Sequence, residues 1–238
     1  MLWYKAWLET RLRFLLCLIG ITLQCAHNVY SADTGLRSPV NDAYYHSVLH
    51  GTLSQLAIFW ILAVNLTTMG GLLREKAVGA ASFTLALPFS RAHLACVRTL
   101  VALFEGLAMI VVPWLATYTA GALFGRTYLV SQALMHLAYL TGGGIVYFAI
   151  ALLASALVEG EYVAPLLSAG VVIAIASALD APSWRNYNPG NFMTGGSHYF
   201  VRMGLLTGTI PWGQIAVYAA ISVVVAIASI RALQVREF

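Results

Sequence analysis

Charge is what this sequence has least of. Only 9% of its 238 residues are Asp, Glu, Lys or Arg, while 60% are hydrophobic. Soluble domains carry about 25% charged residues. So few charges cannot cover a water-facing surface, which excludes a globular domain solvated by water alone: lipid must solvate this chain. Cysteine is also scarce. Cys17, Cys25 and Cys96 lie in or beside apolar runs, without the CxxC or Cys/His spacing of a zinc site. They read as buried hydrophobes, and no metal centre is expected. The net charge of +4 is spread without a basic tract, which argues against a nucleic-acid partner. The phosphate-binding pattern GxxxxGK[ST] is absent, because no lysine follows Gly142-Gly143-Gly144. Three glycines inside an apolar stretch instead let neighbouring backbones approach closely.

What is present is a series of apolar runs, each near the 20 residues that cross a bilayer. They cover about 14–30, 51–73, 94–116, 132–157, 162–179 and 212–230, so the chain reads as an all-α polytopic domain of six spans. Ahead of them, Lys5, Glu9 and Arg13 form one helical stripe with Trp3 and Trp7 roughly opposite. That pattern predicts an amphipathic helix over 1–13 lying in the headgroup zone. Nine basic residues (Lys5, Arg11, Arg13, Arg74, Lys76, Arg91, Arg98, Arg231 and Arg236) fall on one side of these spans. Four (Arg37, Arg126, Arg185 and Arg202) fall on the other. The excess marks the cytoplasmic side and places both termini there.

Enzymatic patterns are weak. Ser90-Arg91-Ala92-His93 has only part of a lipid-phosphatase box, and Gly195-Gly196-Ser197-His198 falls in a loop. Nothing fixes a base beside either serine, as nucleophilic catalysis requires. One Asn188-Pro189-Gly190 without a counterpart in the first half does not make an aquaporin. Glu105 is the charge that needs explaining. It sits near the middle of the third span, where an ionised carboxylate needs a partner, water or a proton. Arg98 is seven residues away on the same face, about 10 Å along the axis, too far for a direct bond. His136 in the fourth span is a candidate partner. Glu105 can serve a transport pathway or simply bond another helix.

The most specific stretch is 74–91. Arg74, Glu75 and Lys76 open it, and Pro88 breaks it before the third span. Between them Val78, Phe83, Leu85 and Leu87 form an apolar element outside the bilayer, which calls for a partner surface. Glu75-Lys76-Ala77-Val78-Gly79 and Leu87-Pro88-Phe89-Ser90-Arg91 resemble, in pattern and spacing, the ABC-2 family of transporter permeases. The amphipathic N-terminus, Asn188-Pro189 before the last span, Trp212 at its start and the arginine-bearing tail are also similar to that family.

The resemblance implies a type V exporter fold: six spans per protomer, an N-terminal elbow helix, and a second protomer, identical or related, facing the first. It implies that 74–91 is a coupling segment seated on a separate ATPase subunit, present in two copies, which binds ATP and Mg²⁺. Contact residues would be Arg74, Glu75, Lys76, Val78, Gly79, Phe83, Leu87, Pro88, Ser90 and Arg91. It also implies that 180–210 is an external re-entrant segment whose Asn188 and Pro189 belong to the outer gate. The expected function is export across a prokaryotic plasma (inner) membrane, with no cofactor and no catalytic residue in this chain. The rival expectation is a stand-alone channel or secondary transporter using Glu105 as its proton or ion site.

Overall fold

The computed structural model describes residues 2–35, 51–68, 90–124, 129–158, 162–196, 199–200, 205–206 and 208–235. The described residues are helical apart from turns and a single two-residue strand pair. The helices are α1 (Leu2–Gly35), α2 (Gly51–Thr68), α3 (Arg91–Leu123), α4 (Val130–Leu157), α5 (Val163–Ala178), the short α6 (Pro189–Met193) and α7 (Trp212–Val235). Four of them, α1, α3, α4 and α7, are long and apolar enough to cross a membrane. α2 and α5 are apolar but shorter. Strands β1 (Tyr199–Phe200) and β2 (Leu205–Leu206) pair antiparallel, Tyr199 opposite Leu206 and Phe200 opposite Leu205.

α1 differs from the sequence expectation. Instead of an interfacial helix over 1–13 followed by a separate span, one unbroken helix of 34 residues runs through Phe14. No glycine or proline stands before Gly20 to break it. At 1.5 Å per residue it is about 51 Å long, well beyond the roughly 30 Å hydrocarbon core. The charged stripe therefore forms the first turns of a helix that continues into the bundle.

The contacts fix the direction of each helix. α1 packs most extensively on α3, and the two run parallel. Glu9 meets Arg98 near one end, and the ring of Tyr30 meets Phe124 near the other. α2 runs the opposite way: Gln55, in its second turn, accepts from Gln24 and Asn28 of α1, while Thr67 and Thr68 lie beside Thr10. α4 runs against α3, with Trp114 Nε1 donating to the Ala133 carbonyl at 3.1 Å. α7 lies parallel to α4, Ile215 beside Gly142 and Ser229 close to Ser155. α5, joined to the end of α4, returns so that Ala176 accepts from the Asn188 side chain at 3.2 Å. Taken in chain order, the six apolar helices α1, α2, α3, α4, α5 and α7 thus alternate in direction.

α4 is the central element. Of its most apolar window 61% is buried, against 22% for α1 and 17% for α7, so α1 and α7 form the lipid-facing periphery. The glycines of α4 explain its position. A Cβ at Gly144 would stand 2.8 Å from the ring of Trp60 on α2, and one at Gly142 would stand 2.9 Å from Ile215 on α7. Trp60 uses this proximity to donate its Nε1–H to the Gly106 carbonyl of α3 at 2.7 Å. A side chain at Gly144 would push the Trp60 ring, and α2 with it, away.

Candidate functional site

The segment between α5 and α7 folds back into the bundle. After the 3-10 turn Arg185–Tyr187, Asn188 caps α6: its Oδ1 accepts from the Gly190 N–H at 2.9 Å. Pro189 fills the first helical position, where its missing N–H costs nothing. Pro189, Phe192 and Met193 are buried. At Gly143 a Cβ would come within 2.6 Å of both the Met193 Cγ and the Pro189 carbonyl oxygen. Gly143 is near the midpoint of α4, so α6 reaches half-way along the central helix. The segment is secured on both sides. Tyr218 on α7 donates to the Tyr187 carbonyl at 2.9 Å. The Gln132 side chain clamps Leu206, donating to its carbonyl and accepting from its N–H, both at 3.0 Å.

The opposite end of the bundle holds a small cavity of about 80 Å³, lined by polar and apolar side chains alike. Five helices wall it: the beginnings of α1 and α3 and the ends of α2, α4 and α7. Its hydroxyls are Thr10, Thr67, Thr68, Thr99, Ser155 and Ser229, and its charges are Glu9 and Arg98. Arg98 Nη2 donates to both Glu9 oxygens, at 3.0 and 3.3 Å, and Lys5 stands 3.8 Å from the same carboxylate. Thr67 and Thr68 donate to the Val64 carbonyl, Ser155 to Leu152 and Ser229 to Val225. Those hydroxyl hydrogens are committed to their own helices, leaving oxygen lone pairs for the cavity. At about 10–15 Å³ per water, the chamber has room for several. It can hydrate a polar group.

Glu105 adjoins this chamber. It is 1% exposed, and its Oε1 accepts the Thr10 hydroxyl of α1. Thr10 also lines the cavity, so Glu105 is one side chain removed from the polar space. Thr10, and not the candidate His136, is the partner that Glu105 meets. His136 lies beside Trp114, with ring centroids 5.4 Å apart, nine residues and about 14 Å along α3 from Glu105. It is fully buried and donates its Nδ1–H to the Gln132 carbonyl. Sequence reasoning missed Thr10 as the partner because it confined 1–13 to the membrane surface. It missed Glu9 for Arg98 for the same reason. The signal that could have found both is the absence of a helix breaker before Gly20.

Of the expected coupling residues, Arg74, Glu75, Lys76, Val78, Gly79, Phe83, Leu87 and Pro88 lie outside the described residues. Ser90 and Arg91 do not. Ser90 caps α3, accepting from the His93 N–H at 3.2 Å, and Arg91 opens the helix. The partial phosphatase pattern is therefore a helix start. Thr68 and Ser90, which bracket the expected coupling segment, both belong to the end of the bundle that holds the cavity. Asn188 and Pro189 belong to the opposite half. Among the described residues no three His, Cys, Asp or Glu side chains gather as metal ligands. Neither a protein-family model nor a curated protein matches this chain.

Proposed function

We propose that this chain is the transmembrane permease subunit of an ATP-binding cassette exporter of ABC-2 type. In this reading all six apolar helices cross a prokaryotic plasma membrane, with both termini cytoplasmic. A separate ATPase subunit, in two copies, binds ATP and Mg²⁺, and a second permease protomer completes the pathway. The observation that carries the reading is the polarity of the bundle. Thr68, before the 74–91 segment, and Ser90, near its end, belong to one pole, and the buried return segment around Asn188-Pro189 belongs to the opposite half of the same helices. An exporter needs that layout: force applied by ATPase closure at 74–91 is transmitted along α2 and α3 to a gate on the opposite side. The alternating helix directions support the six-span count, and the basic residues at the cavity end support the orientation.

The test is co-purification with, and transport driven by, an ATPase encoded beside this chain. Glu75→Lys or Gly79→Trp is expected to abolish both while the protein still inserts in the membrane. Normal co-purification and transport in these variants would overturn the coupling assignment. The chamber beside Glu105 favours a second reading, a stand-alone secondary transporter with Glu105 as its proton or ion site. It is distinguished by substrate movement in vesicles that contain this chain alone.

A further inference from the structure

The return segment and the first turn of α7 border a cavity of about 250 Å³, at the pole opposite the chamber beside Glu105. Glycine forms one side of it. Gly195 and Gly196 hold φ at 93° and 51°, a left-handed backbone that favours residues without a side chain and leaves the space beside them open. Asn186, Asn191 and Gln214 supply side-chain amides, and two of these are fixed by bonds to the fold. Asn191 Nδ2 donates to the Arg185 carbonyl at 3.2 Å. Gln214 Nε2 donates to the Asn186 carbonyl at 2.7 Å and to the Tyr218 hydroxyl at 2.9 Å, which commits both of its hydrogens. Asn191 Oδ1 and Gln214 Oε1 are therefore the acceptors these side chains offer to the pocket. Tyr187 stands at the rim, 62% exposed, with the exposed Trp184 ring 6.2 Å from its own. Among the described residues no charged side chain lines the cavity.

We propose that this pocket binds a neutral saccharide. Its fixed groups select the chemistry. Amide oxygens ask for a ligand rich in O–H donors, and an apolar ligand would leave them desolvated without a bond. An anion would need free N–H groups, yet both hydrogens on Gln214 are already committed. A hard cation takes six to eight oxygens, usually with carboxylates among them, and the described lining offers only a few amide oxygens. A sugar ring meets the demands together. Hydroxyls along its edge donate to Asn191 and Gln214, and its C–H face lies on the flat apolar ring of Tyr187. At about 250 Å³ the cavity falls just below the 300–1,000 Å³ of drug-sized sites, which suits a single ring. Asn186 and Tyr187 are exposed, so the ligand enters from the end of the bundle. A free sugar and the headgroup of a glycolipid present the same hydroxyls there. The site is built by this chain alone and stands whether or not an ATPase partner is found.

The test is equilibrium binding of four neutral methyl glycosides (glucoside, galactoside, mannoside and N-acetylglucosaminide) to the purified full chain in lipid nanodiscs, followed by saturation-transfer NMR. Saturable binding of at least one is expected, tighter than that of glucosamine or methyl glucuronide, whose rings carry a positive or a negative charge. Tyr187→Ala, at an exposed position whose backbone carbonyl still accepts from Tyr218, is expected to weaken binding at least fivefold. Asn191→Leu, which removes an acceptor oxygen, should weaken it at least tenfold. Trp3→Ala, an exposed aromatic at the other pole, should leave it unchanged. Nanodiscs that contain a monoglycosyl diacylglycerol of the same sugar separate the two sources: displacement of the bound glycoside assigns a lipid headgroup, and no displacement assigns a free sugar. No saturable binding of any of the four by the folded wild type, equal or tighter binding of either charged ring, or unchanged affinity in both Tyr187→Ala and Asn191→Leu would overturn the proposal.

Discussion

Glu9 and Arg98 form the strongest test of packing at single side chains. Their 3.0 Å contact joins two helices, and the side chains are only 29% and 18% exposed. Exposed ion pairs contribute about 0–1 kcal/mol, whereas breaking a buried one costs about 3–5. A half-buried pair lies between, so Arg98→Met is expected to destabilise by about 2 kcal/mol, and Glu9→Gln by a similar amount. Because the two share one interaction, the double variant should lose little more than either single one. Unfolding midpoints in detergent measure this; additive losses would show that the groups act independently. How much of this site the sequence reveals depends on the partner. Glu105 was legible as a buried charge needing a donor or a counter-charge, because hydropathy alone sets its depth. Thr10 was not, since hydroxyls carry no periodic signal and only the unbroken course of α1 brings that one to α3. His136 failed as a partner for a related reason: polar residues on two spans say nothing about the relative height of the helices. Trp114 packs at its level and Glu105 does not.

Elements meet in this protein where side chains are missing. Gly142, Gly143 and Gly144 read as packing residues from composition alone, and each meets a different element most closely: Ile215 of α7, Met193 and Pro189 of α6, and Trp60 of α2. Which neighbour, and that one of them is a return segment, depended on tertiary contacts the sequence does not encode locally. The three should differ in their response to substitution. At Gly142 the added carbon would meet the Ile215 side chain at 2.9 Å and the Phe192 ring at 3.2 Å, side chains that can give by a few tenths of an ångström. At Gly143 it would meet the carbonyl oxygen of Pro189 at 2.6 Å, part of a backbone held by the Asn188 cap and the Tyr187–Tyr218 bond. Gly143→Ala is therefore expected to lift α6 from α4, whereas Gly142→Ala should be absorbed. In a background lacking Cys17, Cys25 and Cys96, a cysteine replacing the fully buried Met193 reports the displacement. Its reaction with a water-soluble maleimide should rise at least tenfold with Gly143→Ala and change little with Gly142→Ala. Equal rates in the two would mean that Gly143 does not hold the return segment in place.

Across the whole molecule, composition set the solvent and the contacts set the directions. Low charge and long apolar runs dictate helices in lipid, because each peptide group must find its partner within its own segment. Chain directions follow from pairs that hydropathy cannot supply, such as Glu9 with Arg98 and Asn188 with Ala176. Together they separate the molecule into two poles. Lys5, Arg98 and Arg231 lie toward the pole with the polar chamber, and Arg185 lies beside the return segment. Basic residues are retained on the cytoplasmic side during insertion, so the chamber should open inward and Arg185–Tyr187 should face outward. Two exposed positions test this in the same cysteine-free background: Asn186→Cys beside the return segment and Arg231→Cys near the end of α7. A membrane-impermeant maleimide applied to intact cells should label position 186 and spare 231, and inverted vesicles should give the reverse. Labelling of both positions from the same side would require α7 not to cross. That would remove the even number of spans and, with it, the opposition of coupling segment and gate on which the exporter reading depends.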